Sequence, residues 1–367
     1  MRVVSVIDSF KGCATSAELN AAALADLPAE IWQEKINVPI ADGGEGTLAA
    51  IYAALGGEWV TVASQDPLLR ELAGQYLLSH FAGKRIAVIE SAAFIGLHLV
   101  EPDDQVVRQA TSYGLGAVLQ DALTRNVEQI YVTLGGSATS DGGLGLLQAL
   151  AQLPATANPL LAEQLFFPPL NKLGAAVELF ALADVTNPYS GEQGFAKVFA
   201  PQKGASKKTV VEMEHRAQKA VRHFWRTQQM DLAKTAGAGA AGGLGGAVIL
   251  LGGKMIPGFP MIQKMIGLET ILREADLVFT GEGKMDAQTA AGKVPYGVAQ
   301  LAATHQVPVI GLCGSREAEL GELEHLLLGA FSIQQAPISL QAAMEKERTL
   351  KNIRILAADL SRIFAKK

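Results

Sequence analysis

The sequence predicts an α/β protein, a doubly wound parallel-sheet domain interrupted by a second α/β domain with a mixed sheet. Three observations lead there. Short apolar runs at Arg2 to Ile7, Ile36 to Ile40, Leu277 to Thr280, Val307 to Leu312 and Leu328 to Ile333 alternate with helical stretches, the rhythm of a parallel sheet. After the second of these, Trp59 to Ala63, Glu71 to Ser79 and Lys84 to Glu90 follow one another across turn residues, Asp66-Pro67 and Ala82-Gly83, as an antiparallel meander does. A chain of 367 residues, 49% hydrophobic, is long enough for about two such cores. The expected division is residues 1–57 with 259–367 for the interrupted domain and 58–258 for the insertion.

In chain order, the first strand runs into Asp8-Ser9-Phe10-Lys11-Gly12 and a helix from Ala17 to Leu27. The second ends in Ala41-Asp42-Gly43-Gly44-Glu45-Gly46-Thr47 and enters a helix from Leu48 to Leu55. Both loops lie at the carboxyl ends of strands, the edge where open parallel sheets bind ligands. Either loop alone would be ordinary turn chemistry, but two acid-and-glycine loops on one edge point to a site.

Past the meander come a helix from Gly114 to Thr124 and a stretch from Ile130 to Leu147 that reads as strand, anion-ready loop, helix. Gly135 and Gly136 let backbone approach a ligand, Ser137, Thr139 and Ser140 offer hydroxyls, and Asp141 stands where the helix Leu144 to Ala151 begins. The strand Val177 to Leu182 follows, ending in Ala183-Asp184-Val185-Thr186-Asn187-Pro188. Lys207 to Arg226 is a charged amphipathic helix with a solvated face, and Gly242 to Gly253 reads as a buried helix too short to span a bilayer. The strand from Leu277 is expected to stop at Thr280, leaving Gly281-Glu282-Gly283-Lys284-Met285-Asp286 as a loop. Helices Val298 to Ala303 and Leu340 to Phe364 complete the chain.

Composition narrows the function. A formal net charge of −5 excludes a nucleic-acid partner, because clustered cations are absent. No apolar leader precedes the first strand, which implies a cytosolic protein without a membrane anchor. Cys13 and Cys313 are too few for a disulfide framework or zinc site. Gly237-Ala238-Gly239-Ala240-Ala241-Gly242 fits the dinucleotide fingerprint, but Asp231 to Thr235 ahead of it is not a strand, so tight packing is the better reading. A Walker-type P-loop is excluded: Lys293 is followed by Val294, and Ala287 stands where its first glycine should be.

The motifs, taken together, resemble the bacterial type-1 glycerate kinases. The resemblance runs through Asp8-Ser9-Phe10-Lys11-Gly12, the Asp42 loop, Gly135-Gly136-Ser137-Ala138-Thr139, Asp141-Gly142-Gly143, Asp184-Val185-Thr186-Asn187-Pro188, Pro201-Gln202-Lys203-Gly204-Ala205, and Gly237 to Gly245. It continues in Thr280-Gly281-Glu282-Gly283, Asp286-Ala287-Gln288-Thr289 and Gly292-Lys293. It departs at Ile7, where proline is common, at Ser140, where asparagine is common, and at Cys13, in a loop usually richer in serine. The resemblance implies a flavodoxin-like domain interrupted by an α/β domain similar to the restriction-endonuclease core. It also implies transfer of the γ-phosphoryl group of ATP to D-glycerate, giving 2-phosphoglycerate, in an interdomain cleft.

Such a transfer requires cations for the phosphates, Mg²⁺ on hard oxygen ligands, and a base for the attacking hydroxyl. Lys11 and Lys293 are candidates for a phosphate or carboxylate clamp, and Asp8 or Asp184 for the base. Asp42, Glu45, Glu282 and Asp286 are candidates for Mg²⁺. Ser9, Gly136, Ser137, Thr139, Asp141, Asn187, Gly281 and Gly283 are expected to bind substrate or nucleotide. A kinase for another small hydroxy acid and an NAD-dependent oxidoreductase are the alternatives, and a homo-oligomer is left open.

Overall fold

Arg2–Ile7 (β1) is rich in β-branched residues that favour extended backbone, and Val3, Val4, Val6 and Ile7 are fully buried. The computed structural model describes residues 1–170, 177–291 and 293–365. The remaining strands are β2 (Glu34–Asn37), β3 (Glu58–Gln65), β4 (Glu71–Phe81), β5 (Lys84–Glu90), β6 (Gln129–Thr133), β7 (Glu178–Leu182), β8 (Lys254–Ile256), β9 (Leu277–Met285), β10 (Val309–Arg316) and β11 (Gly329–Ser332). The chain divides into two compact units, one of Met1–Asp42, Ala49–Ala54 and Phe259–Lys367, the other of Gly43–Leu48 and Leu55–Gly258.

The first unit holds a five-stranded, all-parallel sheet in the order β11-β10-β9-β1-β2. Numbered within the unit, that is the flavodoxin-like order 2-1-3-4-5. The chain leaves β1 for a neighbour on one side and returns to β9 on the other, which makes the β1/β9 boundary the topological switch point. Val3, Ile7, Leu277 and Phe279 share a core with helices Ser16–Ala25 and Lys346–Phe364, while the alternate residues Val4, Val6 and Val278 are equally buried. Both faces of the sheet are therefore covered, as parallel sheets require. Ser16 pins the functional edge: its Oγ donates to the Ile7 carbonyl at 2.5 Å and accepts the Ile40 N–H at 2.9 Å.

The second unit contains a six-stranded mixed sheet in the order β3-β4-β5-β6-β7-β8. β3, β4 and β5 form the antiparallel meander, and β5 to β8 pair in parallel. Its core gathers Phe94, Tyr189, Phe195 and Phe224, all fully buried. No helix among the described residues is long and apolar enough to cross a membrane.

Some elements differ from expectation. β9 does not stop at Thr280 but runs to Met285, because Gly281 pairs with both Ile7 and Leu312, Glu282 with Cys313 and Lys284 with Ser315. Two neighbouring ladders override the turn-like composition. β2 ends at Asn37 rather than Ile40, since Pro39 has no N–H to donate. The final helix divides into Leu340–Ala343 and Lys346–Phe364, with Glu345 extended at φ −69°, ψ 121° between them. The segment Ala240–Leu250 is interrupted by left-handed backbone at Ala241, Gly242 and Gly243. The three-residue β8 is a strand that periodicity could not reveal.

Candidate functional site

The loop after β1 is tied down at both ends. The Asp8 N–H donates to the Gly281 carbonyl at 2.9 Å, and the Phe10 N–H closes a turn on the Ala14 carbonyl at 2.9 Å. Gly12 makes that turn with φ +71°. The Asp8 carboxyl is buried, and its Oδ1 accepts the Ser9 N–H at 2.7 Å. Burial, reinforced by the neighbouring Asp42 carboxylate, pushes its pKa up to about 7 against the pull of the Ser9 N–H and Lys11. Lys11 itself is exposed.

The extension of β9 carries Glu282 into the same place. Its Oε1 accepts the Thr289 hydroxyl at 2.6 Å and its Oε2 lies 3.2 Å from Lys293 Nζ. Burial holds the Glu282 pKa above the usual carboxylate range despite these two partners. Thr289 in turn accepts the Asp286 N–H at 3.1 Å, and Asp286 Oδ1 accepts the Gln288 N–H at 3.0 Å. Gly281 serves packing, because a Cβ there would lie 1.9 Å from the Leu312 carbonyl oxygen, whereas at Gly283 the nearest atom would be 3.9 Å away. Gly292 lies outside the described residues.

Asp8, Ser9, Lys11, Asp42, Glu282 and Lys293 line one cavity of about 760 Å³, together with Gly283 and Asp286. It opens at the carboxyl ends of the parallel strands, at the β1/β9 switch point, and every residue lining it belongs to the first unit. Its polar wall thus combines buried carboxyls with three lysines, Lys11, Lys284 and Lys293, a set suited to holding a cation-bound polyphosphate beside a proton acceptor. Among the described residues, no three His, Cys, Asp or Glu side chains are grouped to hold a metal ion.

The remaining expected residues lie in the second unit. Gly136 follows β6 with φ +76°, and its carbonyl accepts the Leu97 N–H at 2.8 Å. Asp141 is fully buried: its Oδ2 accepts Ser112 N–H, Ser112 Oγ, Thr111 Oγ1 and Gly145 N–H, and its Oδ1 accepts Gly143 N–H, all within 3.3 Å. Five donors make Asp141 the organiser of its loop and of the helix that follows. Beneath that loop, Lys203 donates to the Thr139 carbonyl at 2.6 Å and to Ser137 Oγ at 3.2 Å. Burial drives the Lys203 pKa down to about 7, opposed in part by Asp141. The hydroxyls of Ser91, Thr133, Thr139 and Ser140 are buried without a hydrogen-bond partner among the described residues.

Asp184 is exposed, with Oδ1 accepting the Gly258 N–H at 2.8 Å, and Asn187 Nδ2 donates to the Gln193 carbonyl at 2.8 Å. Glu45 is exposed. The glycines from Gly237 onward pack tightly, for a Cβ at Gly239 would meet the Pro188 carbonyl oxygen at 2.2 Å and one at Gly242 the Thr139 carbonyl oxygen at 2.0 Å. Sequence reasoning assigned no role to three groups, the buried Lys203 and the half-buried Glu90 and Gln334. Lys203 reads in the sequence as one basic residue of a polar loop; Glu90, whose Oε1 accepts the Leu48 N–H at 2.9 Å, and Gln334 carry no local signal.

The sequence profile of the Glycerate kinase family matches residues 3–365. The glycerate kinase of Halalkalibacterium halodurans is 37% identical over 346 residues, covering 88% of this chain and 88% of that protein. The glycerate 2-kinase of Escherichia coli K12 is 34% identical over 355 residues, covering 91% and 90%. The crystal structure of the protein assigned as glycerate kinase 2 of Salmonella typhimurium LT2 superposes with a TM-score of 0.80 at 34% identity, covering 100% of this chain and 98% of that one. A family match over residues 3–365 and relatives of 34–37% identity along most of their length establish that the chain belongs to the glycerate kinase family.

Proposed function

We propose that this protein is an ATP-dependent kinase that phosphorylates D-glycerate at its 2-hydroxyl, with no covalent enzyme intermediate. Membership of the family and the similarity to a protein named glycerate 2-kinase support the reaction and its position. The observation that carries the reading in this chain is the cavity at the β1/β9 switch point, where a buried Asp8 stands among Lys11, Lys293 and further carboxyls.

Asp8 is the general base, since a carboxyl held near pH 7 can take a proton from a hydroxyl and release it again. Asp184, already engaged by the Gly258 N–H and exposed, fits that part less well. Lys11 and Lys293 bind phosphate oxygens, Lys293 exchanging Glu282 for the more highly charged nucleotide. The acids of the cavity offer the hard oxygens Mg²⁺ prefers. Asp42 and Glu282 would hold it, and when bound it would neutralise phosphate charge. The same reading makes the enzyme cytosolic and a binder of small molecules rather than nucleic acid, in keeping with its net charge of −5.

The test is ADP release from ATP across a panel of hydroxy acids, with the product position assigned by phosphorus NMR. D-glycerate should be the best substrate and 2-phosphoglycerate the product. Preference for another acid would reassign the substrate, and no ADP release with any acid would remove the kinase reading.

A further inference from the structure

The cavity of the first unit has two chemistries. Besides its acids and lysines, it is walled by Phe10, Cys13 and residues of the stretch from Ala336 to Met344. This second wall is apolar and uncovered: Ile338, Leu340 and Met344 are 39%, 76% and 42% exposed. Single exposed apolar residues are commonplace, but three converging on one cavity form a surface that a ligand can cover. The stretch leaves the end of β11 and returns to the first loop, where Met344 Cε comes within 3.4 Å of the place a Cβ on Gly12 would take. The polar and apolar walls are therefore parts of one enclosure.

Gln334, two residues before the stretch, lines the same cavity. Its N–H is held by Ser332 Oγ at 3.2 Å, yet its side-chain Oε1 is buried without a hydrogen-bond partner among the described residues. Glycerate has three carbons, each carrying oxygen, and gains nothing from an apolar wall. A purine nucleotide has both halves of the required chemistry, a flat apolar ring with donors on its edge and a polyanionic tail.

We propose that the wall formed by Pro337, Ile338, Leu340 and Met344 seats the adenine ring of the nucleotide, with the Gln334 amide accepting the exocyclic amino group. The assignment rests on the kinase reading above and deepens it by placing the base. It sets the triphosphate toward Lys11 and Lys293, and Met344 supplies an adaptable thioether against the ring.

The test compares wild type with Leu340→Asp and Gln334→Leu, titrated by calorimetry with ADP and with inorganic tripolyphosphate, both without glycerate, alongside initial rates. Because Leu340 is 76% exposed, its replacement leaves the fold in place, which the melting temperature verifies. Each variant should bind ADP about tenfold more weakly and tripolyphosphate as wild type does. KM for ATP should rise with KM for glycerate unchanged. A wild type that phosphorylates glycerate while both variants keep full ADP affinity would overturn the base seat alone, as would equal loss of ADP and tripolyphosphate binding. A wild type that neither binds ADP nor consumes ATP would overturn the kinase reading and the base seat together.

Discussion

Lys203 donates from a fully enclosed position to the carbonyl oxygen of Thr139, 2.6 Å away, beneath the loop that follows β6. Burial lowers its pKa to about 7 in the folded protein, while in the unfolded chain it titrates near the ordinary value of 10.5. Between those values the unfolded state binds the extra proton, so stability rises with pH from about 7 toward 10.5. The slope from this one group is at most about 1.4 kcal/mol per pH unit. Urea unfolding of wild type and Lys203→Met across this range should show that part of the slope vanish in the variant. An identical slope in both proteins would mean that Lys203 titrates normally.

The pairing of Glu282 with Thr289 and Lys293 leads to a prediction about the metal. Glu282→Gln keeps the shape and removes the charge, so kcat should fall roughly 100-fold or more and half-maximal activity should need more Mg²⁺. Asp42→Asn should act in the same direction. Wild-type Mg²⁺ titration curves in both variants would remove these residues from the metal site.

Asp8→Asn tests the base directly. Loss of a positioned proton acceptor should lower kcat by about 10²- to 10⁴-fold with KM values little changed. Asp184→Asn provides the comparison: if that substitution gives the larger loss in kcat, the base belongs to Asp184.

Gly136 and Gly283 should separate backbone strain from ligand contact. At Gly136 the φ of +76° makes any side chain costly, and a Cβ would also lie 3.3 Å from that of Ala92. Gly136→Ala should therefore cost about 1–2 kcal/mol in urea unfolding. Gly283→Ala, with its nearest neighbour 3.9 Å away, should leave stability unchanged while adding a methyl group to the cavity wall. Equal destabilisation by the two would show that the conformation of Gly136 carries no special cost.

Much of the architecture was legible because periodicity reports burial. The apolar run within Lys84–Glu90, the valines of Arg2–Ile7 and the spacing of Gly114–Thr124 each determine an element by themselves, and those three bounds match the structure residue for residue. The order of βα units around an antiparallel meander likewise identified a parallel sheet and a separate mixed one. Glycine and acid at successive strand ends also marked the edge where Asp8, Asp42 and Glu282 line one cavity.

What the sequence could not determine is how each polar group is satisfied, because that depends on residues distant along the chain. Gly281-Glu282-Gly283 has the composition of a turn and becomes strand only because β10 pairs along it and β1 supplies a second partner at Gly281. Asp141 looks like an open anion-site residue until Thr111 and Ser112, some 30 positions earlier, fill its oxygens. Lys203 is an unremarkable lysine until the core closes over it, and Gln334 an unremarkable glutamine until its amide oxygen is buried. The sequence by itself determined which chemical groups stand at the strand ends, since local periodicity places them there. Tertiary structure alone decided which carboxyls lose their water, which cations they meet and where an apolar wall stands beside them, because desolvation is a property of the packed chain.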